Sequence, residues 1–555
     1  MEPYNLAQAL TEMAARAPFR PAIVFPAGRD RQGRARYTQL SFQQLNELCD
    51  RYAYGLSEYG LRRGDRTLLM VRPGIELVAL AFALLKIGAV PVLIDPGMGR
   101  KAWLQCVAET EPTALIGVPL AHGLRILFPQ PFQGIQHSVT VGRRWLWGGV
   151  SLDQLQNHPP GRKPFPIAPT TTEDEAAVTF TSGSTGLPKG VVYLHGMFRA
   201  QIELLRTEIG IAEGEIDLPG LYIFALFNPA LGVTTIMPDL DPRKPAQVNP
   251  AFLVEAIQTH GVTTSFGSPT IWQRVGQYCL ENKLKLPSLK RILMAGAPVP
   301  PALIERFTHI LEGGEVYTPF GATEALPLTS ISGREILAET AALSESGHGV
   351  CVGRALKGIT IKIIPLTDEP IAEWDEALAL PAGQVGEIIV KGAVVTRQYL
   401  NRPHQTMLAK IRDGNELWGR MGDLGYFDEQ GRLWFCGRKS QRVETPHGLM
   451  LPVCCEAIFN RQPDVARTAL VGVGQSGRQK PVLVVEPKPG KMPGSATVRQ
   501  RFIAELLALG RQYEHTREIQ DILFHPAFPV DVRHNAKIQR EKLAGWAEKR
   551  LPLKR

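Results

Sequence analysis

The sequence predicts an α/β fold: a large amino-terminal part built on largely parallel sheet, and a small α+β unit at the carboxyl end. Three observations predict it. Strand-like and helix-like segments alternate through the first half, the pattern of parallel strands joined by helical crossovers. The later third changes to short strands linked by tight turns, a small β-barrel-like part. After Arg442 a second, smaller α/β pattern begins, about 115 residues long and therefore domain-sized.

The elements follow in order. Arg66 to Val71 (RTLLMV) is a strand, the apolar run Leu77 to Leu85 is a buried helix, and AVPVLID after it is a strand. A Pro-rich stretch, His158 to Pro169, reads as a surface connector. Ala177 to Phe180 and VVYL are strands flanking a Ser/Gly-rich loop, and Arg291 to Met294 is a strand that breaks at Ala295-Gly296-Ala297-Pro298. VGEIIVKG and LGYFDEQGRLWFCG are short strands, the latter two joined by a turn at Asp428-Glu429-Gln430-Gly431. In the tail come a helix over Pro452 to Asn460, strands ARTALVGV and PVLVVEP, a loop PKPGKMPG, a helix over Val498 to Leu509 and a strand DILFH. The boundary falls near Gln441, giving units of 1–440 and 441–555.

Composition narrows the class. The chain has 555 residues, 44% hydrophobic and 21% charged, which excludes a disordered or collagen-like chain and is too long for one ordinary core. No basic segment followed by an apolar core marks the amino terminus as a secretory signal, and nine uninterrupted apolar residues are too few to span a bilayer. The expectation is a cytoplasmic protein that is not an integral membrane protein. Seven cysteines are scattered with no C-x-x-C spacing, so they read as small buried hydrophobes in a reducing compartment.

The most informative segment is Thr181-Ser182-Gly183-Ser184-Thr185-Gly186-Leu187-Pro188-Lys189-Gly190. Glycines let backbone N–H groups approach an anion, hydroxyls donate further hydrogen bonds and Lys189 adds a positive charge, which together suit a polyphosphate. It is not the common P-loop, because Lys189 follows Pro188 and precedes Gly190 instead of standing in a Gly-Lys-Ser/Thr triplet.

This loop resembles the signature of the adenylate-forming (AMP-binding) superfamily, which includes acyl-CoA synthetases, peptide-synthetase adenylation domains and luciferases. Further segments resemble the family in the same order along nearly the whole chain. The resemblance implies an adenylation domain with a mobile carboxyl-terminal lid, and ATP and Mg²⁺ as cofactors. Thr181, Ser182, Gly183, Ser184, Thr185, Gly186 and Lys189 would then bind the phosphates. Gly296, Ala297 and Pro298 would lie along the adenine. In Tyr317-Thr318-Pro319-Phe320-Gly321-Ala322-Thr323-Glu324, Phe320 would stack on adenine beside Gly321, Thr323 would bond a phosphate, and Glu324, with Thr181, would hold Mg²⁺.

In Met421-Gly422-Asp423-Leu424-Gly425-Tyr426 the resemblance implies that Asp423 accepts hydrogen bonds from the ribose hydroxyls, with Arg438 reaching the same sugar. In isolation a capping Asp and a surface Arg explain the two better. Lys537, within Pro529 to Ile538, would neutralise charge as the substrate carboxylate meets the α-phosphate; its plain alternative is a solvated lysine in a basic tail. Lys537, Glu324, Thr181 and Lys189 are thus the expected catalytic set.

Three positions depart from a CoA ligase. The hinge position holds Gln441, Asn228 stands where the family often has His, and Arg533-His534-Asn535-Ala536 replaces the usual Thr/Ser/Gly run. Those departures, in FALFNPALG (Phe224 to Gly232), TPFGATEALP (Thr318 to Pro327) and FPVDVRHNAKIQREKL (Phe528 to Leu543), resemble the β-lactone synthetases of bacterial long-chain olefin biosynthesis. That resemblance implies a long-chain 2-alkyl-3-hydroxy acid as substrate, whose own 3-hydroxyl closes the ring after adenylation, with AMP and pyrophosphate as by-products. It implies pathway partners as well: a thiolase-like condensing enzyme, a reductase and a β-lactone decarboxylase. The alternative is a long- or medium-chain acyl-CoA synthetase sharing the first step. Leu221 to Thr234, Ser265 to Trp272 and the neighbourhood of Ala325 and Leu326 are candidate substrate walls.

The net charge is +9, and from Asp531 to Arg555 eight Lys/Arg face three Asp/Glu. No basic patch with interleaved aromatics or nucleic-acid module accompanies it. The excess therefore reads as a basic lid facing ATP, with no nucleic-acid partner.

Overall fold

The computed structural model describes residues 2–156, 163–181, 188–241, 244–530 and 537–551. Two seven-stranded sheets carry the large part of the chain. In the first, the strands run in the order Val150–Ser151, His137–Thr140, Ala114–Gly117, Arg66–Met70, Val90–Leu93, Glu175–Phe180 and Gly190–Leu194. All neighbours are parallel except the last pair, which is antiparallel. In the second, Glu315–Tyr317, Arg291–Met294, Thr264–Gly267, Ile216–Asp217, Thr234–Ile236 and Pro21–Arg29 are parallel, and Ala35–Ser41 is an antiparallel edge.

The expected strand–helix–strand unit is present as Arg66–Met70, the helix Ile75–Ile87 and Val90–Leu93. From Val78 onward its helix is apolar on every side and buried on every side, and it stops at Gly88, whose φ of 80° takes the left-handed turn. Glu76 sits exposed in its first turn, whereas Lys86 in its last turn is 1% exposed and is neutralised by Asp50 at 2.5 Å, with Asn46 accepting at 2.7 Å. The largest core lies here, where Phe42 and Phe82 are fully buried among the helices Leu6–Arg16, Phe42–Tyr59 and Ile75–Ile87. Removing either ring would cost about 3–5 kcal/mol.

The β-rich part is an eight-stranded antiparallel sheet running from Phe320–Ala322 through Ala325–Ser330, Val350–Ala355, Leu433–Arg438, Glu416–Phe427 and Gly386–Lys391 to Thr360–Ile364, with Lys410–Asp413 attached to Glu416–Phe427. The turn expected at Asp428 to Gly431 joins two of these strands. Asp428 N–H donates to the Arg432 carbonyl and Gly431 takes a positive φ.

The small carboxyl-terminal part is a three-stranded sheet of Val465–Val473, Lys480–Pro487 and Asp521–Phe524, backed by the helices Pro452–Phe459, Ala496–Gly510 and Arg540–Glu548. The strands and helices read from the tail sequence occur there within a few residues. Helix Pro452–Phe459 packs on the segment Ser344–His348 of the large part. All seven cysteines are buried and unbridged. No helix among the described residues is long and apolar enough to cross a membrane.

Candidate active site

The carboxyl ends of the parallel strands in both large sheets, one edge of the antiparallel sheet and the small carboxyl-terminal part surround a single cleft of about 2130 Å³. Twelve of the expected residues line it: Thr181, Lys189, Gly296, Ala297, Pro298, Phe320, Gly321, Thr323, Glu324, Asp423, Arg438 and Lys537. Ser182, Gly183, Ser184, Thr185 and Gly186 lie outside the described residues, as does Arg533 to Ala536.

The two ends of the Ser/Gly loop are pinned. Strands Glu175–Phe180 and Gly190–Leu194 pair antiparallel, with Phe180 opposite Gly190. Thr181 N–H donates to the Lys189 carbonyl at 3.1 Å, and Lys189 N–H donates to Thr181 Oγ1 at 3.2 Å. The Lys189 ammonium lies 4.6 Å from the centre of the Tyr399 ring. Burial lowers its pKa, and the Glu324 carboxylate partly opposes that. A polyanion in the cleft would restore what desolvation removes.

Thr323 and Glu324 form the turn between strands Phe320–Ala322 and Ala325–Ser330. Gly321 is required there, because a Cβ would stand 2.7 Å from the Ala325 carbonyl oxygen. Tyr193 Oη donates to the Thr323 carbonyl at 2.5 Å. Thr396 donates to the Glu324 carbonyl twice, from N–H at 2.9 Å and from Oγ1 at 3.0 Å. Tyr399 Oη donates to Glu324 Oε1 at 2.8 Å. The carboxylate is thereby aimed into the cleft with its second oxygen left for a ligand. Among the described residues no group of three or more His, Cys, Asp or Glu converges on a metal site. One carboxylate with a hydroxyl nearby fits Mg²⁺, which keeps its waters and takes most other ligands from substrate phosphates.

Asp423 and Arg438 face each other across neighbouring antiparallel strands, with Arg438 Nη1 2.8 Å from Asp423 Oδ1 and 3.0 Å from the Met421 carbonyl. Burial raises the Asp423 pKa; Arg438 opposes this most strongly, and the charge of Lys537 also acts to lower it. The carboxyl-terminal lysine thus shares the field of the Asp423 carboxylate. Gly296, with φ of 91°, turns the chain as strand Arg291–Met294 enters the cleft.

Away from these polar groups the cleft becomes apolar. Phe224 and Phe266 stand 3.9 Å apart between ring centres, Phe227 packs on Phe224 and Phe198, and Leu205, Ile209, Ile211 and Leu231 continue the wall. Both apolar segments proposed from sequence contribute, as does Leu326, whereas Ala325 is buried in the core of the antiparallel sheet.

Asp217 also lines this end. Register places it beside Thr264, which pairs with Arg291, three residues and about 10 Å below the end of that strand at Met294. Asn228 Nδ2 donates to Asp217 Oδ2 at 2.8 Å and to Thr235 Oγ1 at 3.0 Å. Burial pushes the Asp217 pKa up to about 7. Asn228 therefore serves a buried acid in this chain.

Sequence reasoning missed Tyr399, Thr396, Tyr193 and Asp217. Tyr399 and Thr396 sit in a loop with no motif of their own, and only the fold brings them to Glu324. Asp217 carried one signal, an acid at the end of a short apolar strand.

Comparison with known proteins agrees with this geometry. Residues 10–400 match the family model described as AMP-binding enzyme. The chain is 47% identical over 561 residues to an olefin beta-lactone synthetase of Stenotrophomonas maltophilia, covering 99% of each chain. It is 46% identical over 550 residues to an olefin beta-lactone synthetase of Xanthomonas campestris, covering 98% of this chain and 97% of that one. An o-succinylbenzoate coenzyme A synthetase of Bacillus subtilis, solved in complex with ATP and magnesium ion, superposes with a TM-score of 0.74 at 20% identity, over 98% of this chain and 99% of the other. That match shows the shared fold: a large amino-terminal part and a small carboxyl-terminal one. A family match across most of the chain, with the described candidate residues it covers gathered on one cleft, makes this protein a member of the AMP-binding enzymes.

Proposed function

We propose that this enzyme is an ATP-dependent β-lactone synthetase acting on a long-chain 2-alkyl-3-hydroxy acid. The observation that carries the proposal is the composite cleft: a polar end lined by Lys189, Glu324, Asp423, Arg438 and Lys537 opens directly into an apolar chamber walled by phenylalanine, leucine and isoleucine. Full-length identity near 47% to an olefin beta-lactone synthetase supports the same reading.

In the first step a carboxylate oxygen of the acid attacks the α-phosphorus of ATP, and the bond to pyrophosphate breaks. Lys189 and the Ser/Gly loop hold the phosphates, Asp423 with Arg438 holds the ribose, and Phe320 with Gly296 to Pro298 flanks the adenine. Lys537 offsets charge between two anions that would otherwise repel. Glu324, with Thr181, would hold Mg²⁺, which when bound screens the phosphate charges.

In the second step the 3-hydroxyl oxygen of the bound acyl-AMP attacks its own acyl carbon. The bond to AMP breaks, AMP departs with the electron pair, and the hydroxyl proton passes to water. Holding both groups on one molecule supplies high effective molarity against ring strain. Water exclusion by the small carboxyl-terminal part protects the anhydride.

The unit boundary belongs to this proposal, at 440/441. Arg540 Nη1 donates to Gln441 Oε1 at 3.0 Å, and Arg442 reaches back to Asp368 of the large part at 2.8 Å. Gln441 thus lies where bonds to both parts meet. The proposed partners are the enzymes that make the 3-hydroxy acid and consume the lactone, and the proposed location is the cytoplasm.

The test is product identification. Protein given ATP, Mg²⁺ and a syn 2-alkyl-3-hydroxy acid should release pyrophosphate and AMP and yield a β-lactone, with or without CoA. A CoA thioester formed at comparable rate with no lactone would assign the chain to the acyl-CoA synthetases.

A further inference from the structure

Five of the thirteen most exposed large apolar side chains among the described residues lie in two neighbouring segments. Leu120, Ile126 and Leu127 are 73%, 59% and 72% exposed on the helix Pro119–Leu127. Trp145 and Leu146 are 63% and 104% exposed in the loop that follows strand His137–Thr140. Scattered surface leucines need no explanation, but a concentrated set with an indole at its tip does.

The set is built on a firm base. The Trp147 ring stacks on His122 at 5.5 Å with an interplanar angle of 5°, and Trp145 stacks on Trp147 at 5.9 Å. Arg125 Nη2 donates to the Trp147 carbonyl at 2.7 Å, and Trp147 Nε1 donates to Thr140 Oγ1 at 3.0 Å. The loop is therefore fastened to the helix while Trp145 and Leu146 are held out into solvent.

Charge identifies what the patch meets. Between Glu111 and Asp153 the chain has no acidic residue, yet it carries Arg125, Arg143 and Arg144. Arg143 and Arg144 are exposed directly beside Trp145. Indole and leucine at the tip with guanidinium groups behind them suit an anionic bilayer, where the apolar groups enter the headgroup boundary and the cations meet lipid phosphates. The position is also apt. Helix Pro119–Leu127 and the tryptophan loop follow the carboxyl ends of two parallel strands of the first sheet, the same rim from which Val71 and Leu93 to Pro96 line the cleft.

We infer that this patch docks the enzyme on anionic phospholipid membrane, with Trp145 and Leu146 entering the interface and Arg143 and Arg144 contacting headgroups. A water-insoluble long-chain acid would then reach the cleft from the bilayer. The docking itself does not depend on which acceptor takes the acyl group.

Flotation of the full-length protein with vesicles tests this. Binding to vesicles about one-third phosphatidylglycerol should exceed binding to phosphatidylcholine alone by about tenfold and fall as salt is added. The pairs Trp145→Ser/Leu146→Ser and Arg143→Glu/Arg144→Glu should each lose about tenfold in binding. Both should keep wild-type pyrophosphate release with a short, water-soluble 3-hydroxy acid, since none of the four residues lines the cleft. Wild-type protein that ignores anionic vesicles, or variants that bind as well as wild type, would overturn the inference. So would a dimer or protein complex that Leu146→Ser dissolves while no vesicle binding is seen.

Discussion

Tyr399 ties the two expected phosphate-handling residues together: its hydroxyl donates to Glu324 Oε1 at 2.8 Å while its ring lies 4.6 Å under the Lys189 ammonium. Tyr399→Phe keeps the ring and removes the bond that orients the carboxylate. A hydrogen bond to a charged group is worth about 1.5–3 kcal/mol. We expect pyrophosphate release to fall by roughly ten- to a hundredfold, with a higher Mg²⁺ concentration needed for half-maximal rate. Unchanged Mg²⁺ dependence would remove Tyr399 from this role.

Lys537→Ala should cut adenylation about a hundredfold or more, because the charge it supplies is needed where two anions meet. Pyrophosphate release with saturating acid and ATP reads this step directly. Full retention of that rate would show that Lys537 is only a surface cation of the tail.

Asp217 makes stability depend on pH. Its carboxyl, which ordinarily titrates near 3.8, is pushed up to about 7 in the fold by burial, so the folded state holds its proton where the unfolded chain has lost it. Stability is therefore fullest below about pH 4 and declines as pH rises toward 7, by about 4 kcal/mol for a shift of this size. Asp217→Asn should flatten the denaturation midpoint between pH 5 and 8, with its gain over wild type greatest at the alkaline end. Parallel pH profiles for the two proteins would contradict this.

Arg540 pairs with Glu456 at 2.6 Å, both largely buried, and also holds Gln441. Burial raises the Glu456 pKa, and Arg540 is the main group opposing it. Arg540→Ala would leave an unpaired buried acid and should cost about 3–5 kcal/mol, less at low pH where the carboxyl is neutral. Limited proteolysis should then cut the carboxyl-terminal part first. The double variant Arg540→Ala/Glu456→Gln should recover much of the loss.

Ile209 lines the apolar chamber and is 6% exposed. Ile209→Trp would fill that end of the chamber. We expect kcat/KM for long-chain acids to drop about tenfold or more while short-chain acids are little affected, measured across a chain-length series.

The sequence alone was sufficient wherever the chemistry is local. Thr181 and Lys189, the Thr323-Glu324 turn, and Asp423 and Arg438 were each picked out from residues near one another in the chain, and each lines the same cleft in the fold, whereas the ion pair of Asp423 with Arg438 came from the structure. The helix Ile75–Ile87 and its flanking strands were legible because an unbroken apolar run can only be buried. The burial of Lys86, directly after that run, was not legible, since its partner Asp50 lies 36 residues away.

Tertiary structure decided what depends on distant partners. Tyr399 and Thr396 meet Glu324 across more than 70 residues of chain. Asp217 has its perturbed proton because sheet packing excludes water from it, and burial is a property of the folded whole. The apolar patch at Trp145 depends in the same way on which side chains the fold leaves uncovered. Sequence determined the family and singled out the candidate reacting groups, because motifs are contiguous. Only the fold determined their supports, their electrostatics and the exposed surface, because those come from contacts between segments far apart in the chain.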